Sequence, residues 1–84
     1  DKIYRSYNYF RITNLKSAIL DKLNEKLADN PDCNNDNLFY QEVFMMVNML
    51  ESAKYMAEQC DKTAQAVIIY NNVNNQYKQI LCDC

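Results

Sequence analysis

The chain has 84 residues and a net charge of −2, which is enough for one small domain, and it contains neither histidine nor glycine. The absence of histidine removes the commonest general base and excludes serine-hydrolase triads, and the absence of glycine excludes Walker-type phosphate loops and dinucleotide fingerprints. We therefore expect a non-enzymatic protein without a cofactor or a metal ion. The same composition favours helices over tight β-hairpins, so we predict an all-α bundle of three helices, or four if one is broken, over residues 1–84.

The first predicted helix becomes regular at Ile12, where apolar residues begin to recur with helical spacing. The helix begins either at Thr13, acting as an N-cap, or near Lys2. If it begins near Lys2, Tyr9 joins the core face, and Ile3, Tyr7 and Phe10 point away from it. The predicted core residues of this helix are Ile12, Leu15, Ile19, Leu20, Leu23 and Leu27.

Aromatic and cationic residues are interleaved at the start of the chain, and Tyr and Arg are enriched at binding hot spots. We take five of these residues as a candidate partner-binding surface: Tyr4, Arg5, Tyr7, Phe10 and Arg11. The competing interpretation is that the aromatic side chains cover the core, and we favour it for Tyr9 and Phe10.

The segment from residue 29 to 37 groups Asp and Asn residues around Pro31, which predicts a solvated loop. Its ligand spacing is not that of a calcium-binding EF-hand loop. Asp36 or Asn37 is the expected N-cap of the second helix.

The second predicted helix, from about Leu38 to Gln59, is the most apolar part of the chain and needs two neighbours. A second apolar row on this helix also raises self-association as a hypothesis. The predicted core stripe consists of Phe39, Val43, Met46, Val47, Leu50, Ala53 and Ala57. Methionines line adaptable pockets, so the alternative function is a carrier of a small hydrophobic ligand. The lining residues would be Met45, Met46, Met49 and Met56.

The third predicted helix follows a break between Cys60 and Thr63, where Asp61 and Thr63 are plausible N-caps. A continuous helix from residue 38 to 82 is the alternative, because neither glycine nor proline interrupts it. The predicted core stripe of the third helix is Ala66, Ile69, Tyr70, Val73, Tyr77, Ile80 and Leu81.

Four cysteines in a short chain without C-x-x-C or histidine predict a disulfide framework and an oxidising, extracellular location. A chain that begins at Asp1 without a signal peptide fits a processed secreted protein. We expect Cys33 and Cys60 each to pair with one of Cys82 and Cys84. A straight second helix would hold Cys33 and Cys60 too far apart for both bonds. Three arrangements would remove this conflict. The loop before the second helix could run back along the bundle, a helix could break (most plausibly at residues 71–75), or Cys60 could form its bond with a second chain.

The charge is unevenly distributed, with six Lys/Arg against three acids in residues 1–28 and seven acids against Lys54 alone in residues 29–61. We favour attraction between helices within the fold as the reason. The acidic residues of segment 29–61 would repel phosphate groups, which argues against nucleic-acid binding. No apolar run is long enough to span a membrane. The prediction is a secreted inhibitor, toxin, signalling ligand or host-directed effector that binds a protein partner, with a homodimer through the second helix or Cys60 as a further alternative.

Overall fold

The computed structural model describes residues 2–35, 37–59 and 61–78, and these residues form helices joined by short turns, with no strand among them. The α-helices are α1 (Lys2–Asp29), α2 (Asn37–Ala57) and α3 (Thr63–Tyr77), and a 3-10 helix spans Pro31–Asn35. The all-α bundle of three helices is therefore confirmed. Each helix packs against the other two.

The first helix begins at Lys2, and Thr13 lies within it rather than at its start. The Thr13 hydroxyl donates a hydrogen bond to the Tyr9 carbonyl oxygen one turn earlier, at 3.0 Å, a bond that a helix interior allows. Of the predicted core face, Ile12, Leu15 and Ile19 are buried.

Leu20 was expected in this core and is instead 37% exposed. It follows Ile19 by 100° of rotation around the helix. Ile19 is completely buried in the core cluster, and this rotation takes Leu20 to the edge of the buried face. The prediction for Leu20 was therefore wrong.

The core stripe of α2 is confirmed along the whole helix. Val47 lies partly buried at its edge, and the fully buried members are Phe39, Val43, Met46, Leu50, Ala53 and Ala57. The stripe ends in two alanines, whose small side chains allow neighbouring backbones to approach closely. Because α2 contacts both α1 and α3, it is the central helix of the core.

The break before the third helix is also confirmed, since α2 ends at Ala57 and α3 begins at Thr63. Neither predicted cap acts as one: Lys62 occupies the N-cap position without a side-chain capping bond. The Thr63 hydroxyl instead donates to the Gln59 carbonyl oxygen at 3.0 Å.

The third helix is continuous through residues 71–75, so the break suggested there is wrong. Ala66 and Val73 are buried, while Ile69, Tyr70 and Tyr77 pack partly against the core. A buried residue at every second turn is enough to hold this helix against α2 despite its asparagines. The predicted core residues Ile80 and Leu81 lie outside the described residues.

The segment before α2 is more ordered than the predicted loop, because five of its residues form the 3-10 helix. Pro31 starts this helix, where its fixed φ is suitable and its missing N–H costs nothing. The Asp32 N–H donates to the Asn30 side-chain oxygen at 3.3 Å, and the Cys33 N–H donates to the Asn30 carbonyl oxygen at 3.0 Å. Cys33 is consequently held in the core, although the prediction for Asp36 lies outside the described residues.

The molecule is a rod of 45 × 17 × 16 Å. The 28 residues of α1 account for its length, because they extend about 42 Å at 1.5 Å per residue. Among the described residues, no helix combines the length and the apolar character that crossing a membrane requires.

Candidate protein-interaction surface

The first half of α1 is cationic. From residue 2 to residue 20 it contains Lys2, Arg5, Arg11 and Lys16 and no acid, and the first acid of the helix is Asp21. This segment therefore carries a local positive charge on a chain whose net charge is negative.

A stripe of large apolar side chains runs along the outer face of the same segment. Ile3 is 80% exposed, Tyr7 is 56% exposed and Phe10 is 65% exposed. Their spacing of i, i+4 and i+7 places them in one row on the side opposite the buried Ile12. We call these three residues the outer stripe. The prediction that Phe10 covers the core is wrong, because the core face of α1 is turned away from it.

Arg11 lies at the edge of the outer stripe and contacts two aromatic rings. Its guanidinium carbon is 5.1 Å from the ring centroid of Tyr7 and 4.3 Å from that of Tyr70 on α3. Both distances are within the range of a cation–π interaction. Arg11 therefore connects the exposed Tyr7 to a ring that packs against the core.

The remaining aromatic residues of the segment divide between surface and core. Tyr4 is exposed, whereas Tyr9 is half-buried against the core with the Lys54 ammonium 5.7 Å from its ring centroid. Between them in sequence, the buried Asn8 donates its side-chain N–H to the Tyr4 carbonyl oxygen at 3.0 Å. This bond satisfies a polar side chain on the core face of α1.

A groove of about 350 Å³ lies where the first turns of α1 meet the end of α2. We call it the end groove. It combines two cations, one acid and a hydroxyl with aromatic and aliphatic side chains. Its lining residues are Lys2, Arg5, Ser6, Tyr9, Phe10, Ala57 and Glu58. Phe10 belongs to both features, so the end groove and the outer stripe form one continuous surface.

Further along α1, the helix is joined to α2 by an ion pair. Lys16 Nζ lies 2.6 Å from Glu51 Oε1, and Lys54 Nζ lies 3.7 Å from Glu51 Oε2. The hydrogen bond from Lys16 is the main reason that the pKa of Glu51 is lowered from 4.5. Attraction between the basic first helix and the acidic second helix, as predicted, is present at this position.

The four methionines of α2 do not share one environment. Met46 is buried in the packed core, Met49 and Met56 are half-buried against it, and Met45 is 63% exposed. None of them lines the end groove. Met45 and Met46 are adjacent in sequence and lie on different faces of the helix, which is why one is exposed and the other buried.

The structure thus places all five proposed partner-binding residues on the first three turns of α1, with Arg5 and Arg11 only partly exposed. Six residues of this surface were missed as site residues: Lys2, Ile3, Ser6, Tyr9, Ala57 and Glu58. The i, i+4, i+7 spacing would have identified Ile3. No pattern in the sequence indicates that Glu58 comes back beside the start of the chain, because that depends on the α1–α2 turn.

Of the predicted disulfide residues, Cys33 is buried on the 3-10 helix. Cys60, Cys82 and Cys84 lie outside the described residues. The Cys33 backbone is fixed by the contacts of the 3-10 helix with α1 and α2.

Comparison of the chain with protein-family models, with curated proteins and with solved structures found no match.

Proposed function

We propose that this is a secreted, non-enzymatic protein that binds a protein partner through the outer stripe and the cations beside it. The observation that supports the proposal is the exposure of Ile3, Tyr7 and Phe10 in one row on a helix whose opposite face is fully packed. Such a row matches the anchor spacing by which a helix is recognised in a groove of another protein. A function as an inhibitor, toxin, signalling ligand or effector requires such a contact surface and no catalytic group.

The composition of the surface supports the same proposal. Tyrosine and arginine dominate binding hot spots because they bury a large area and also form directional polar contacts. Arg11 holds the ring of Tyr7 through a cation–π contact, so part of the surface is ordered before a partner arrives. Ordering before binding lowers the entropy lost in the complex.

A different protein suits this surface better than a second copy of the chain. A two-fold dimer through the outer stripe would bring Lys2, Arg5 and Arg11 of one copy towards the same cations of the other. Like charges brought together at an interface oppose association. The partner is therefore expected to carry acidic groups around its apolar contact.

The first test uses immobilised protein and the extracellular fluid of the source organism. A partner should be retained by the wild type and lost with the variant Tyr7→Ala/Phe10→Ala, whose melting temperature should stay close to that of the wild type because both side chains are exposed. Tyr55→Ala is the matched control, since Tyr55 is 64% exposed on α2. Proteins that are retained equally by all three baits, or lost equally with both variants, would contradict the proposal.

Secretion is proposed together with disulfide bonding, which a small core of this size benefits from. Tyr77 lies beside Lys22, with the Lys22 ammonium 5.6 Å from its ring centroid, so α3 ends towards the Cys33 end of the rod. The 15 residues of α3 extend about 22 Å. Four residues from Lys78 to Cys82 span at most about 14 Å, and six residues to Cys84 about 21 Å.

These spans bring Cys82 and Cys84 within reach of Cys33. Cys82 and Cys84 lie within about 7 Å of each other, whereas the unbroken α2 extends about 30 Å between the segment that contains Cys33 and the turn that follows Ala57, so bonds to Cys33 and to Cys60 do not both form within one chain. We therefore propose that Cys33 pairs with Cys82 or Cys84. Peptide mapping of the native protein under non-reducing conditions tests this pairing. A free thiol at Cys33, or a peptide in which Cys33 is linked to Cys60, would exclude it.

A further inference from the structure

We infer that the outward side of α2 binds a second copy of this chain in a two-fold contact, in which Phe44 of each copy packs against Tyr55 of the other. The two α2 helices lie antiparallel in this dimer. The sequence raises self-association through the second helix without a geometry, and the exposed residues of α2 supply one. The inference is independent of the proposed binding function, because this side of α2 contains no residue of the outer stripe.

Two large aromatic side chains are exposed on the side of α2 that faces away from the core. Phe44 is 56% exposed and Tyr55 is 64% exposed. A spacing of eleven residues places them about 20° apart around the helix and about 16 Å apart along it. Three exposed polar residues share this side, and we call the five together the α2 face. Its members are Gln41, Phe44, Asn48, Ser52 and Tyr55.

The positions of the two aromatic residues suit a contact of this face with itself. In a two-fold interface, a residue that contacts a second residue of the other copy is matched by the reverse contact. The midpoint between Phe44 and Tyr55 lies close to the middle of α2, so both aromatic pairs form while the two α2 helices overlap over most of their length. Aromatic pairs contribute to an interface beyond the area that they bury.

The ring of Phe44 is already supported within its own chain. It is stacked on the ring of Tyr40, with 6.0 Å between the ring centroids and 22° between the ring planes. One side of the Phe44 ring is therefore held before the second copy arrives, and the part that remains exposed faces outwards. Such support lowers the entropy lost on association.

The α2 face itself has no charged residue, and the charges beside it are compatible with the two-fold arrangement. Glu51 lies between Lys16 and Lys54, at 2.6 Å and 3.7 Å, so two copies bring together two carboxylates and four ammonium groups. Each Glu51 can therefore meet a cation of the other copy. Glu42 lies about 160° around the helix from Phe44, and the two copies of Glu58 are about 25 Å apart along the antiparallel helices.

The dimensions of the molecule are sufficient for a stable dimer. A long side of the rod measures 45 × 17 Å, which is of the same order as the ~800 Å² that each partner buries in a standard interface. Charged residues are depleted at the centre of such interfaces and aromatic residues are enriched, as on the α2 face. A second copy therefore suits this side of the molecule, whereas the cationic outer stripe suits an acidic partner.

The experiment measures the mass of the full oxidised chain by sedimentation equilibrium. The wild type should sediment with twice the mass of one chain, and a denaturing gel without reductant should return single chains because the contact is not covalent. Phe44→Glu should weaken the dimer at least tenfold, since the two-fold axis places the new carboxylate in the contact twice. Ile68→Glu is the matched control, because it adds the same charge where an apolar side chain is 60% exposed on α3, and it should leave the dimer intact.

Photo-crosslinking tests the geometry without removing the contact. A chain with p-benzoylphenylalanine in place of Phe44 is mixed with an isotope-labelled wild-type chain and irradiated. Trypsin cleaves after Lys54, so positions 44 and 55 fall in different peptides. The crosslink should join position 44 to the labelled peptide that begins with Tyr55. A crosslink to the labelled peptide that contains Phe44 would indicate parallel helices and overturn the inference.

Three further results would also overturn the inference. The first is a wild type that sediments as a monomer up to millimolar concentration. The second is a dimer that survives Phe44→Glu and persists on the denaturing gel, which would assign the association to a cysteine. The third is a dimer that is lost in Tyr7→Ala/Phe10→Ala, which would move the contact to α1. A dimer retained in that variant supports the inference and leaves the outer stripe to its own test.

Discussion

The guanidinium of Arg11 lies 4.3 Å from the ring centroid of Tyr70 and thereby joins α1 to α3, the two helices that are farthest apart in sequence. The same guanidinium contacts Tyr7 on its own helix. One side chain therefore contributes both to the packing of the bundle and to the order of the exposed surface.

The first prediction concerns this contact. Arg11→Ala should lower the free energy of unfolding by about 1 kcal/mol, because a partly exposed cation–π contact contributes about 0.5–1 kcal/mol and the aliphatic stem also packs. Urea denaturation of Arg11→Ala, Tyr70→Leu and the double variant measures the coupling. Strictly additive single-variant effects would show that the two side chains do not interact.

The second prediction compares two leucines that differ only in burial. Leu50→Ala should cost about 2–5 kcal/mol, because Leu50 is completely buried and leaves a cavity when truncated. Leu20→Ala should cost less than about 1 kcal/mol, since its side chain is 37% exposed. Both values come from urea unfolding followed by circular dichroism. Equal losses would place Leu20 in the core, as the sequence pattern alone predicts.

The third prediction concerns pH. The Lys16 hydrogen bond lowers the pKa of Glu51, so the folded protein binds this proton less readily than the unfolded chain. The stabilisation is therefore present above the unfolded pKa of 4.5 and is lost as the pH falls through the lower pKa of the folded state. NMR titration should show the midpoint of the Glu51 carboxyl rising in Lys16→Gln. An unchanged midpoint would mean that the ion pair does not form in solution.

The fourth prediction concerns the buried amide of α1. Asn8→Asp should destabilise the fold by about 2 kcal/mol or more, because the carboxylate cannot donate to the Tyr4 carbonyl oxygen and its charge is buried. Asn8→Leu keeps the number and branching of the side-chain heavy atoms and removes the polar groups, so it should destabilise the fold less than Asn8→Asp. Thermal unfolding at neutral pH distinguishes the two variants, and a stable Asn8→Asp protein would show that position 8 reaches water.

The helical periodicity was sufficient to predict the bundle, because a stripe as regular as that of α2 has only one way to be buried. The limits of the helices were harder to predict. Thr13 and Thr63 are both good N-caps by residue type, yet each donates backwards into a preceding turn. Whether a threonine caps the following helix or donates a hydrogen bond to the preceding turn depends on the conformation of the residues before it.

The candidate surface was only partly predictable for a related reason. The residue pattern identified Tyr4, Arg5, Tyr7, Phe10 and Arg11 but not whether their faces were covered. Phe10 was a candidate binding residue for which core cover was the favoured interpretation, whereas its exposure depends on where α2 and α3 pack. The end groove requires Glu58 to approach the first turns of α1, a contact between residues more than fifty positions apart that no local pattern encodes.

The rod places its outer stripe near one tip and the 3-10 helix near the other. Twenty-three residues of unbroken α1 separate Ile3 from Lys26, which corresponds to about 35 Å. A label, a resin or a second macromolecule attached at Lys26 would thus be too far from the opposite tip to contact a partner bound there. One short chain can hold two bulky bodies apart at a fixed spacing.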